Sequence, residues 1–287
     1  MSKKNKQLKI YEKNEDINTL AIDSHAHLDY YSPEELSDVL DNMEKDGLEY
    51  IIGIGARPNA LNELVSIAKT RKNIYYCAGI HPYDALLYTK EYEENLINLS
   101  KTDKKFVGIG ECGLDYHSEV KEDGSPMPTR EEQKKAFIAQ IKLACKLEKP
   151  IAMHIRDAHD DAIKILREHK DYLKYGGIVH CYSGDEKESL IYQDLGLHIS
   201  FSGSITYARQ NHPEEIEKAN AIIRSVAKDK FLIETDCPYL SPAPYRGQKN
   251  FPKMCLVVAE FLSNALECDV NKVIDQSNKN TKALFKI

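Results

Sequence analysis

The pentapeptide Asp23-Ser24-His25-Ala26-His27 sets two imidazoles two positions apart. In an extended strand alternate side chains share a face, so His25 and His27 converge on one point. Neutral imidazoles so placed suit a divalent ion such as Zn²⁺. Four more polar groups each close an otherwise apolar run: Glu111 in GIGECGLDY, His154 in PIAMHIRDA, His180 in GGIVHCYSG and Asp236 in FLIETDCPYL. Burying such groups is costly unless an ion or an opposite charge compensates them. Six ligands exceed the needs of one tetrahedral ion, and a carboxylate can bridge two. The residues therefore predict a dinuclear hydrolytic centre made of His25, His27, Glu111, His154, His180 and Asp236. Glu111, the carboxylate in the middle of the series, is the expected bridge. Lys104 and Lys105 stand at the wrong end of its run to act as a carboxylated lysine instead.

Those groups share a site only if the apolar runs that carry them end on one side of the fold. Runs near 21–24, 50–55, 75–80, 106–111, 150–155, 177–182, 197–202 and 231–236 read as strands, most with the continuous hydrophobicity of parallel strands covered on both faces. Amphipathic stretches at 34–46, 59–72, 130–148, 158–169 and 213–228 read as helices. Pro33 and Pro213 stand near helix starts, and Gly47 and Gly196 where helices should stop. Eight such units in 287 residues, with no linker-like break, predict an α/β fold: a single (β/α)8 TIM-type barrel over 21–287 with the metal site at the C-terminal ends of its strands. An open doubly wound sheet is the alternative, but no G-x-G-x-x-G follows the first strand. Residues 1–20, rich in Lys, Asn and Glu, read as an N-terminal extension, either a solvated tail or a short edge strand. The polar tract 117–129, broken by Gly124, Pro126 and Pro128, is the longest expected loop and falls on the mouth side.

The net charge of −6 argues against a protein that coats duplex nucleic acid, although ions in a pocket can supply positive charge locally. Seven cysteines with no C-x-x-C pair suggest neither a disulfide framework nor a zinc ribbon, and fit a reducing cytoplasm. Cys112, Cys181 and Cys237 follow three of the ligands directly, so alternation should turn their thiols into the core. No run approaches a membrane span, and the first ten residues lack the apolar core of a signal peptide.

In this order the motifs resemble the TatD family of metal-dependent hydrolases and deoxyribonucleases, within the amidohydrolase-like barrel superfamily. The resemblance runs through IDSHAHLD at 22–29, GIHPYDA at 79–85, GECGLDY at 110–116, MHIRDA at 153–158, HCYSG at 180–184, ETDCPYL at 234–240, PYRGQKN at 244–250 and the chain end at 280–285. It implies His25, His27 and Asp236 on one ion, His154 and His180 on the other, and Glu111 between them, the ions being Zn, Mg or Mn. It further implies phosphodiester hydrolysis on DNA ends or short single-stranded nucleic acid, often from the 3′ end. Ile155 and Tyr245 depart from the family pattern, where many relatives carry a small polar residue and a histidine. Water activated by the ions would attack phosphorus, with Glu111 and Asp236 as the catalytic carboxylates and Asp236 orienting the water or taking its proton.

An anionic substrate needs donors beside the ions, and His81, Tyr116, Arg156 and Arg246 stand on the mouth side. Arg246 leads, because guanidinium matches phosphate bidentately. Lys249 and Lys253 read as solvated surface charge. The 17 tyrosines show no aromatic–basic interleaving that would mark a stacking platform. The same centre could serve a D-aminoacyl-tRNA deacylase or a small-molecule amide or ester hydrolase. A reading of another class is a non-catalytic barrel scaffold that holds its ions structurally. No obligate protein partner and no membrane association is expected.

Overall fold

The structure is a computed structural model that describes residues 11–121, 123–209 and 211–287. Eight parallel strands, β1 (Ala21–Ala26), β2 (Leu48–Gly55), β3 (Ile74–Ala78), β4 (Phe106–Asp115), β5 (Ile151–Arg156), β6 (Gly177–Val179), β7 (His198–Phe201) and β8 (Phe231–Ile233), pair in sequence order. Helices α1 (Pro33–Asp41), α2 (Pro58–Thr70), α3 (Lys90–Thr102), α4 (Arg130–Lys146), α5 (His159–Glu168), α6 (Glu186–Asp194) and α7 (Pro213–Ser225) alternate with the strands. Two more, α8 (Cys255–Ala265) and α9 (Val270–Phe285), follow the last. This is the expected barrel, not the doubly wound sheet, which would reverse its strand order. Among the described residues no helix is long and apolar enough to cross a membrane.

Local sequence explains the helix starts. Ser32, Thr129 and Asp185 cap α1, α4 and α6, and in each case a glutamate three residues on returns the bond to the cap backbone. Alternate strand residues Ile52, Ile54, Cys77, Val107, Ala152, Ile178 and Leu232 form one cluster with Leu284 and Phe285, so the end of α9 packs against the barrel's own filling. The larger core lies between the strands and the helices.

The seam between β8 and β1 is built differently from the other seven. Ala26 and Cys237 form a single parallel bridge. Around it Ser24 Oγ donates to the Ile233 carbonyl at 2.9 Å, and the Asp23 carboxylate accepts from the Thr235 amide at 3.0 Å and its hydroxyl at 2.6 Å. Side chains thus reinforce a seam that has two backbone bonds, from the Asp236 amide to the His25 carbonyl and from the His27 amide to the Cys237 carbonyl.

Strands β6 and β8 are shorter than the sequence suggests, ending before His180 and Asp236. In β4 the ladder instead continues beyond Glu111 to Asp115. Of the expected N-terminal extension, residues 1–10 lie outside the described residues. Residues 11–20 form neither a strand nor a solvated tail. Ile17 is 2% exposed, and the Asn18 and Thr19 amides both donate to Asn271 Oδ1 at the start of α9. An apolar anchor and two backbone bonds dock a segment that composition alone marks as polar.

Candidate metal centre

Two irregularities in the sheet aim the first ligand candidates. Between Asp23 and Ala26 β1 spends one residue more than β2, and between Ile109 and Cys112 β4 spends one more than β5. A bulge of this kind re-aims a side chain, and here the two bulges carry His25 and Glu111. Alternation alone therefore does not bring His25 and His27 together: His27 lies beyond the strand and the bulge intervenes, yet the two Nε2 atoms converge. Gly110 and Gly113 flank Glu111 with φ of +128° and +146°, and a Cβ at either would collide with the carbonyl of Ala152 or His154.

The six candidates meet at the mouth, with Glu111 in the middle. Its Oε2 faces His25 Nε2 at 3.6 Å and His27 Nε2 at 3.4 Å. Its Oε1 faces His154 Nδ1 at 2.9 Å and His180 Nε2 at 2.7 Å. Asp236 Oδ1 completes the first group, 3.7 Å from His25 Nε2 and 3.4 Å from His27 Nε2. Asp236 sits in a turn with φ of +57°, and its amide donates to the His25 carbonyl across the seam.

Two acids outside the sequence-derived set hold the imidazoles from behind. Asp115 Oδ2 accepts from His154 Nε2 at 2.9 Å, which leaves Nδ1 of that ring facing Glu111. Glu234, completely buried, lies 3.3 Å from His180 Nδ1 and accepts from the Cys181 amide. Such carboxylate–imidazole pairs fix the tautomer and orientation of a ligating ring. Both acids stood in motifs already singled out, GLDY and ETD. Only the fold shows which ring each one backs.

The electrostatics are those of a negative pocket short of cations. Burial alone would push the Glu111 carboxyl up, but His180, His81 and His154 outweigh it and hold it well below the usual range. Burial pulls His27 down, yet Asp236 and Glu111 raise it to about 10, and Glu111 and Glu234 likewise raise His180. Imidazoles that cling to protons in this way report uncompensated carboxylate charge, which a divalent ion would neutralise in their place. His25 Nδ1 and Nε2 and His27 Nδ1 are buried without a hydrogen-bond partner among the described residues. Polar atoms are seldom left so, and nitrogen and carboxylate donors together fit a metal.

His81 belongs to the pocket in another way. Its Nδ1 accepts from the Tyr83 amide at 3.1 Å, which places the proton on Nε2, 3.6 Å from Glu111 Oε1. Burial and the neighbouring His154 lower its pKa to about 3, so it is a neutral donor at the edge of the cluster. The other expected substrate contacts lie further out. Arg156 is exposed, and the Arg246 guanidinium lies 4.3 Å from the centroid of Tyr207. Tyr116 is committed elsewhere: its hydroxyl donates to Asp161 at 2.9 Å and Arg130 covers its ring at 4.2 Å. Lys249 and Lys253 pair with Glu35 and Asp46.

Cys112 and Cys237 are buried core residues, as expected, but Cys181 is not. It follows the end of β6 with φ of +45°, where alternation no longer applies, and its half-buried thiol meets Ser202 Oγ at 3.0 Å. Burial, with Asp236 nearby, pushes that thiol up to about 12.

The family model for TatD-related DNases matches residues 22–286. The chain belongs to the TatD family of metal-dependent hydrolases. It is 32% identical to the metal-dependent hydrolase YabD of Bacillus subtilis, over 93% of this chain and 100% of that protein. To the 3′-5′ ssDNA/RNA exonuclease TatD of Salmonella typhimurium it is 30% identical, over 88% of this chain and 94% of the other. The crystal structure of the TatD homologue YJJV from Escherichia coli superposes with a TM-score of 0.82 at 26% identity, covering 93% of this chain and 98% of that one. For this TatD-family chain the buried histidine–glutamate clusters are the expected seat of the metal dependence.

Proposed function

We propose that this TatD-family hydrolase cleaves phosphodiester bonds at the ends of single-stranded nucleic acid, DNA above all, from the 3′ end, using two divalent ions (Zn, Mg or Mn). The observation that carries the reading is the division of Glu111: one carboxylate oxygen faces His25 and His27, the other His154 and His180. That is the shape of a bridge, with Asp236 completing the first set. The related exonuclease and the guanidinium groups of Arg156 and Arg246 on the mouth side support an anionic substrate. The catalytic unit is taken as residues 21–287, and seven free cysteines are in keeping with a reducing, cytoplasmic setting.

Bound ions would supply Lewis acidity toward a phosphoryl oxygen and a lowered pKa for water. The residues do the rest. Asp115 and Glu234 hold the His154 and His180 rings so that Nδ1 and Nε2, respectively, point into the pocket. Asp236, the less buried of the two catalytic carboxylates, takes the proton of the attacking water as its oxygen bonds to phosphorus. The bond from phosphorus to the leaving sugar oxygen breaks, and Asp236 returns the proton to that oxygen. His81 Nε2–H donates to a substrate oxygen without adding charge.

The direct test is metal-reconstituted protein incubated with 3′- or 5′-labelled single- and double-stranded DNA, in parallel with aminoacyl-tRNA and small amide and ester substrates. Stepwise loss of nucleotides from the 3′ end supports the reading, and cleavage of acyl substrates alone sinks it. Asp236→Asn should lower kcat by roughly 10²- to 10⁴-fold, and near-normal turnover with metal retained would remove Asp236 from its role.

A further inference from the structure

Two exposed tyrosines stand at the lip of the pocket and take no part in the chemistry above. Tyr30 and Tyr239 are 41% and 46% exposed. Their ring centroids lie 5.6 Å apart, edge to face, and each abuts the His27 ring, at 5.9 Å and 6.1 Å. Tyr30 ends the 3-10 turn that follows β1, and Tyr239 lies three residues beyond Asp236, its amide bonded to the Asp236 carbonyl. Asn250 Nδ2 donates to the Tyr239 carbonyl at 2.6 Å, which fixes the backbone on that side. Short, bonded tethers therefore hold both rings to residues of the cluster. The Arg57 guanidinium lies 4.8 Å from the Tyr30 centroid, and Asp29 steadies it at 3.5 Å.

A single exposed tyrosine needs no explanation. Two in contact, tethered beside a reaction centre and flanked by a half-exposed cation, form a surface with a chemical preference: flat π-faces for a planar ring and a guanidinium for an anion. We propose that Tyr239 and Tyr30 form a ledge on which the base of the terminal nucleotide stacks, with Arg57 placed to hold a neighbouring phosphate. The ledge rests on the phosphodiesterase reading and sharpens it. A base can lie there only after leaving its own stack and pair, so single strands and frayed ends are taken and a closed duplex is not. Stacking accepts any base, since every base has a π-face, so the ledge selects strand state and not sequence.

Tyr239→Ala, Tyr239→Phe and Tyr30→Ala are compared with the wild type in the metal-loaded enzyme. The substrates are a single strand with an ordinary 3′-terminal nucleotide and the same strand with an abasic one. Loss of the base should raise the wild-type KM roughly tenfold or more. Tyr239→Ala should raise KM on the ordinary strand by a similar factor, and the penalty should shrink on the abasic strand because both changes delete one contact. Tyr30→Ala should follow the same pattern, and Tyr239→Phe, which keeps the ring, should restore wild-type KM. Equal penalties on both strands would overturn the ledge, since a ring that merely braces His27 would act without regard to the base. An unchanged KM in Tyr239→Ala would overturn it as well. If the wild type cleaves neither strand, the phosphodiesterase reading falls and the ledge with it.

Discussion

Asp115 Oδ2 lies 2.9 Å from Nε2 of His154, while Nδ1 of the same ring meets Glu111 Oε1 at 2.9 Å. One imidazole is thus gripped by two carboxylates on opposite edges, and only the inner nitrogen is left to ligate. Asp115→Asn keeps the shape but can present an amide N–H to Nε2, which inverts the tautomer. Metal affinity or activity should fall about 10- to 100-fold. Titrating activity against a competing chelator reads the change, and an affinity equal to wild type would remove Asp115 from this role.

Arg246 and Tyr116 both stand on the mouth side, and the structure separates their surroundings. Arg246 lies over Tyr207 on the loop that follows β8. Arg246→Ala should raise KM about tenfold or more while changing kcat little, as expected for a lost charge-assisted contact. Arg246→Lys should recover only part of it, because an ammonium cannot pair bidentately. Steady-state kinetics on a labelled single strand decide between these outcomes.

Tyr116 is expected to brace and not to bind. Its hydroxyl donates to Asp161, which also pairs with Lys134 at 2.9 Å. Tyr116→Phe should cost about 1 kcal/mol of folding stability and leave KM within about twofold, less than the loss of a substrate hydrogen bond would cause. Chemical denaturation and kinetics on the same preparation test both halves.

Acid should destabilise the protein partly through His198, at the start of β7. Burial, helped by Lys230, lowers its pKa from 6.5 to about 4. The unfolded chain therefore binds the proton first, and folding stability falls as pH drops from about 6.5 towards 4. After discounting for partial exposure the effect is roughly 1–2 kcal/mol. Comparing wild type with His198→Gln at neutral and mildly acidic pH, both with chelator present, isolates it. Equal acid sensitivity in the two proteins would contradict the assignment.

The residues of the cluster are legible in the sequence because each is a charged or ionisable group in an apolar run, and burying such a group is costly without compensation. What aims them is not legible. The extra residues at 23–26 and 109–112 leave no mark in hydrophobic periodicity, because neighbours on both faces are buried. Asp115 and Glu234 are visible as acids but not as partners, since which ring they back depends on how β4, β5 and β6 lie together. Tyr30 and Tyr239 escape any search for local aromatic–basic interleaving because their contact crosses the seam. Helix α8 escapes as well, since a segment buried nearly all round has no polar stripe to give it a period.

The seam also sets an order in time. The groups facing Glu111 Oε1 come from β5 and the end of β6, beside β4 itself. Those facing Oε2 join the first strand to the turn after the last. Even the former set is incomplete until Glu234, which backs His180 and follows β8, has been made. The latter must wait for residue 236 and for the Ala26–Cys237 bridge. On the proposed assignment of the six residues, hydrolytic competence would report that the polypeptide has been made through β8 and closed, and a product cut short before residue 236 holds at most part of the cluster.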